Sequence, residues 1–149
     1  MDNSIKMGTK KISLERINDA VNFKATNEAG QSILLDGTPD LGGIGNGVRP
    51  METLLMALAG CSAIDIVMIL GKMRQKLEDI KLDITGTTEQ VEDYTAYTNI
   101  HMQFEMWGDL KNEKVERAIQ LSIDKYCSVA KALDNKSEIS FDFNIHDPE

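Results

Sequence analysis

The chain reads as an α+β protein, with antiparallel sheets packed on a long, central, buried helix in the order β-β-β-α-β-β-α-β. Three observations predict this. An apolar run extends from Pro50 to about Gln75, long enough only for a helix. The segments on either side alternate apolar and polar residues with the period of two that marks half-buried strands. Between the last two alternating segments, Val115, Ile119 and Ile123 recur at helical spacing. Strands gathered on both sides of helices make the class α+β.

The first forty residues supply three short strands. "KISLERI" alternates weakly, "AVNFKAT" alternates again, and Ser32 to Leu35 lie between glycine-bearing turns. The glycine-rich "LGGIGNGVRP" follows, and it matches neither the dinucleotide nor the Walker pattern. It is read as a connector that feeds a helix with Pro50 in its first turn. That helix is apolar on nearly every face, which places it at the centre of its protein. "LEDIKLDITGTT" and "NIHMQFEMW" then alternate as strands, with "EQVEDYTAYT" between them read as a turn region. The second helix runs into "KYCSVAKAL", and "EISFDFNI" closes the chain as a strand. Residues 1–149 are read as a single domain of ordinary size, free of repeats and low-complexity segments.

Composition narrows the function. A net charge of −8 argues against nucleic acid as a partner, because phosphate binding needs a basic face. The N-terminal residues carry no apolar stretch of a secretory signal, so a cytoplasmic location is expected. Asp65 interrupts the apolar run and Glu52 opens it, which favours a buried helix over a membrane span. His101 and His146 are far from other ligand types in sequence, and Cys61 and Cys127 fit no zinc spacing. Neither a metal nor another cofactor is expected. A helix apolar all round needs more cover than a few hairpins provide, and a symmetric partner is the simplest source. An obligate homodimer is therefore expected, the alternative being a monomer whose two sheets clamp the helix.

The chemistry-bearing feature is "MALAGCSAIDI", where Cys61 sits in apolar surroundings with Asp65 one helical turn later. Leu54, Leu58 and Met68 are expected to bury it. Apolar burial and a nearby carboxylate both disfavour a thiolate, so Cys61 becomes a nucleophile only beside an arginine or lysine. Arg49 and Glu52 precede it by twelve and nine positions. These separations are roughly 18 and 13 Å of helix, so neither reaches it easily within one chain. Two helices crossing in a dimer could bring them close. Cys127 has Lys131 one turn later if its helix continues.

"RPMETLLMALAGCSAIDIVMIL" followed by "KYCSVAKAL" resembles the OsmC/Ohr family of thiol-dependent hydroperoxide reductases, in its small OsmC-like branch. The resemblance covers nearly the whole chain and implies an intertwined homodimer with two sites at the interface. It makes Cys61 the peroxidatic cysteine and Cys127 the resolving one. The family's glutamate directly follows the proline that starts the helix; here Met51 holds that position and Glu52 comes one step later. Its arginine comes from the N-terminal strands, where Arg16 is the match and Arg49 the other candidate. Ser128 stands where the family usually has proline.

The implied chemistry is reduction of an organic hydroperoxide through a Cys61–Cys127 redox pair, in oxidative stress defence. An external dithiol would reset the pair, since the chain has only two cysteines. The competing reading is a non-enzymatic dimer whose interface pocket binds an apolar small molecule.

Overall fold

The computed structural model describes residues 7–148. The chain divides into two units, one ending at Thr53 and the other beginning at Leu54.

The first unit is a three-stranded antiparallel meander of β1 (Ile12–Arg16), β2 (Phe23–Asn27) and β3 (Ser32–Leu35). Its register sets Leu14 opposite Ala25 and Phe23 opposite Leu35. The β2–β3 turn closes through the Asn27 side chain, which accepts from the Gln31 amide at 2.9 Å. The glycine-rich connector folds around two buried polar side chains. Asp36, only 2% exposed, accepts from the backbone amides of Gly37, Ile44 and Asn46, each at 2.9 Å. Asn22, 1% exposed, donates to the carbonyls of Leu35 and Asn46. The amides that could cradle a phosphate are thus occupied by the chain's own carboxylate. Gly43 is obligatory here, since a Cβ would stand 1.8 Å from the Gly37 carbonyl oxygen.

Helix α1 (Pro50–Lys72) begins in the first unit and forms the start of the second. Pro50 fits its first position, where a missing N–H costs nothing. The helix stops three residues before the expected Gln75. Arg74 adopts the left-handed conformation (φ 57°), and the amide of Gln75 caps the carbonyl of Leu70 at 2.9 Å. Leu58, Ser62, Ile66 and Leu70, each one turn from the next, are its buried stripe. The rest of the helix is less covered than its composition predicts. Met56, Ile64, Val67 and Met68 are about half exposed or more within the chain. By length and composition alone α1 could cross a membrane. Its buried stripe and the polar contacts described below tie it to its own chain.

Strands β4 (Lys76–Val91) and β5 (Tyr94–Asp109) form one long antiparallel hairpin. The expected turn region "EQVEDYTAYT" is mostly strand; only Glu92 and Asp93 turn, with Glu92 at φ 54°. Cross-strand pairing extends both strands because their backbone groups find partners there, despite polar side chains. Ile100, Met102, Phe104 and Met106 on one face of β5 are fully buried. Gly86 of β4 leaves room for the Tyr97 ring, which a Cβ would meet at 2.6 Å, and for Leu55 of α1 at 3.2 Å.

The chain then forms α2 (Asn112–Leu121), a single π turn (Ser122–Tyr126), α3 (Ser128–Leu133) and β6 (Glu138–His146). Helix α2 buries Val115, Ala118 and Ile119. Strand β6 pairs with β5 in parallel, setting Ile139 beside Ile100 and Phe143 beside Phe104. This corrects the expectation of wholly antiparallel sheets. The helical crossover between β5 and β6 returns the chain to the end where β5 began, so β6 must run the same way. His101 lies on the exposed face of β5, as its alternation predicts, with Nδ1 2.8 Å from the Ser140 hydroxyl.

The amides around Asp36, that of Asn46 foremost, hold its carboxyl below the ordinary carboxylate range. Its contribution to stability is therefore complete above about pH 4 and lost as pH falls through the folded-state value. Asp36→Asn should lower the thermal midpoint at pH 7 and flatten its fall with acid. A variant that loses stability with acid as steeply as the wild type would contradict the assignment.

Candidate functional site

Within the second unit, the reactive atoms of Cys61, Asp65 and Cys127 all lie within 4.8 Å of one another. Cys61 and Asp65 share a face because they are four residues apart on α1. They flank the stripe of Leu58, Ser62 and Ile66, and both are half-buried. Of the three apolar residues expected to bury Cys61, only Leu58 is buried; Leu54 is 38% and Met68 58% exposed. The apolar cover around the thiol is therefore incomplete within the chain.

Cys127 reaches the cluster because the chain departs from helical geometry there. The π turn closes with the Cys127 amide donating to the Ser122 carbonyl at 2.7 Å. Cys127 then adopts an extended conformation (φ −76°, ψ 104°) and becomes the N-cap of α3. The expected continuous helix is broken at this residue. Lys131, expected to supply charge to Cys127, instead pairs with Asp134 at 3.6 Å on the surface.

Two serines complete the arrangement, and the sequence reading missed both. The Ser62 hydroxyl donates to Cys127 Sγ at 3.6 Å, and the Ala130 amide donates to the same sulfur at 3.4 Å. The Ser122 hydroxyl donates to Asp65 Oδ2 at 3.1 Å. Ser62 was visible as the one polar residue on the Leu58–Leu70 stripe. Ser122 carried no comparable signal, because a π turn has no sequence period. Ser62 and Ser122 are fully buried, so each hydroxyl needs such a partner.

The two thiols differ in kind. Cys127 is fully buried, and that burial pushes its thiol above the ordinary cysteine value; the adjacent Cys61 adds to the effect. The Ala130 and Ser62 donors offset part of it. Cys61, half-buried, is the sulfur a molecule can approach. Both thiols are free and belong to one chain.

The remaining candidates belong to the first unit. Arg16, at the end of β1, donates through Nε to the Ala20 carbonyl at 2.8 Å and is exposed. Arg49 donates to the Gly37 carbonyl. It lies at the wall of an apolar cavity of about 620 Å³, which Phe23, Leu35, Leu41 and Met51 help to line. Glu52 is exposed in the first turn of α1.

A family model described as OsmC-like protein matches residues 43–142. The chain is 37% identical over 128 residues to Protein YhfA of Escherichia coli (strain K12), covering 85% of this chain and 92% of that one. It is similar in structure to a hypothetical protein from Aquifex aeolicus VF5, with a TM-score of 0.82 and 28% identity over 96% of this chain and 100% of that one. An organic hydroperoxide resistance protein OsmC from Legionella pneumophila has the same fold. It superposes with a TM-score of 0.74 at 15% identity, covering 94% of this chain and 99% of that one. On the family match and the identity to Protein YhfA, the chain belongs to the OsmC-like protein family.

Proposed function

We propose that this chain reduces organic hydroperoxides through Cys61 and Cys127, as a cytoplasmic homodimer reset by an external dithiol. The observation that carries the reading is the meeting of two free thiols, one accessible and one buried, within 4.8 Å. The described function of the Legionella relative, hydroperoxide resistance, supports the substrate class.

Cys61 is the attacking sulfur, because it is the one that substrate can reach. Its thiolate takes the outer peroxide oxygen, the O–O bond breaks, and the alkoxide leaves with a proton as the alcohol. Cys61 is then a sulfenic acid. Cys127 attacks that sulfur as a thiolate, forming the S–S bond and releasing the oxygen as water after protonation. A dithiol reduces the disulfide in two exchange steps and becomes a disulfide itself. The activating cation is assigned to Arg49 in preference to Arg16. Each arginine donates to one backbone carbonyl, but Arg49 also borders an apolar cavity suited to an organic group. Glu52, exposed at the start of α1, orients that arginine in the assembled dimer.

The exposed face of α1 supports the dimer. Met56, Ile64, Val67 and Met68 form an apolar strip larger than isolated surface residues would make. A second copy covering it would complete the apolar cover beside Cys61 and exclude water from the reaction.

Cumene hydroperoxide should oxidise Cys61 faster than hydrogen peroxide does, with turnover sustained by a dithiol. Cys61→Ser should abolish turnover, and Cys127→Ser should stop after one oxidation with a trappable sulfenic acid. If both wild-type thiols stay free for minutes in stoichiometric hydroperoxide, the reductase reading fails. A dimer that holds an apolar molecule in the Arg49 cavity then takes its place.

Sedimentation at micromolar concentration should show dimer for the wild type. Ile64→Lys should shift the population to monomer while the chain keeps its secondary structure. A wild type that sediments as a folded monomer would remove the basis for an interface site.

A further inference from the structure

We propose that Cys61, Asp65 and Cys127 form a binding site for a soft divalent cation of the zinc class, held by two thiolates and one carboxylate. The inference is independent of the hydroperoxide reading. Sequence spacing conceals the site, because 66 positions separate the cysteines. The fold brings their sulfurs and the Asp65 carboxylate to within 4.8 Å of one another.

The geometry is close to what the cation requires. Tetrahedral zinc, with bonds of about 2.3 Å to sulfur and 2.0–2.2 Å to oxygen, sets adjacent donors roughly 3.5–3.8 Å apart. Shifts of about 1 Å from the observed separations reach that spacing. Two sulfurs and one oxygen suit zinc, cadmium or cobalt, whereas magnesium and calcium take oxygen alone. Three protein ligands leave a fourth position for water or an exogenous group.

An outer shell is already in place. The Ser122 hydroxyl donates to Asp65, and the Ser62 hydroxyl and Ala130 amide donate to Cys127. These are donors aimed at the very atoms that become anionic when metal binds, and such partners orient ligands and sustain their charge. The cluster also lacks a counter-charge of its own. Among the described residues, Asp65 makes no ion pair. A divalent cation would supply that charge.

An entry path adjoins the carboxylate. A groove of about 450 Å³ is lined by Asp65, Met68, Lys72, Leu121 and Tyr126. Because both sulfurs bind the metal, cation binding and disulfide formation exclude each other. The bound cation would therefore hold the pair reduced.

Titration of the reduced full-length chain with cadmium, followed by ultraviolet sulfur-to-metal charge transfer, tests the site. One cadmium per chain should bind with proton release, and excess zinc should compete for the same site. Cys61→Ser and Cys127→Ser should each lose most of the charge-transfer band. Asp65→Asn and Ser122→Ala should both keep the band and weaken zinc binding. Ser122→Ala should do so by about 10–100-fold, the usual effect of losing an outer partner, and Asp65→Asn, which removes a direct ligand, by at least as much. Absence of the band in the wild type would overturn the site, whatever the variants do. So would cysteine variants that bind like wild type, or zinc affinity unchanged in both Asp65→Asn and Ser122→Ala.

Discussion

Everything at the centre of this protein depends on the chain leaving helical geometry at Cys127. A continuous helix would carry that thiol around with its neighbours at 100° per residue. The π turn instead spends one extra residue, and the extended Cys127 directs its sulfur at α1. Ser122 joins the two elements from both of its ends, its carbonyl closing the turn and its hydroxyl holding Asp65. With α1 presenting Cys61, Ser62 and Asp65 over little more than one turn, both sides of the contact are fully specified.

The second constraint is what α1 leaves uncovered. Its composition would suit a membrane, yet its chain buries only a stripe one residue wide per turn. Ser62 and Asp65 lie on that stripe and its edge, where they meet Cys127 and Ser122. The exposed face carries Met56, Ile64, Val67 and Met68, an apolar strip that water solvates poorly. Under the proposed function, this division of labour lets one helix serve a chemical site along one edge and an assembly surface along the other.

Much of the fold was legible in the sequence, and the reasons are physical. Strands at β5 and β6 follow strict alternation, because each buries one face. The pairing of Cys61 with Asp65 followed from helical spacing. The parallel course of β6 was less visible, because alternation reports burial and is silent on direction. The extent of β4 and β5 was underestimated because backbone pairing carries "EQV" and "YTAYT" into strands whose side chains are polar. Asp36 and the glycine loop hid their relationship because it joins positions eight and ten residues apart through backbone amides. Which residues Cys127 would meet could not be read from spacing. It rests on Ser122 and the break at Cys127, and neither leaves a periodic trace.

The central claim is that the two thiols of one folded chain face each other. The most direct measurement is mass mapping of non-reduced peptides after oxidising the native protein with one equivalent of a mild thiol oxidant. The account predicts a single disulfide between Cys61 and Cys127 of the same chain, with no covalent dimer on a non-reducing gel. Disulfides joining Cys61 to Cys61 of another chain, or thiols that pair only after denaturation, would contradict it.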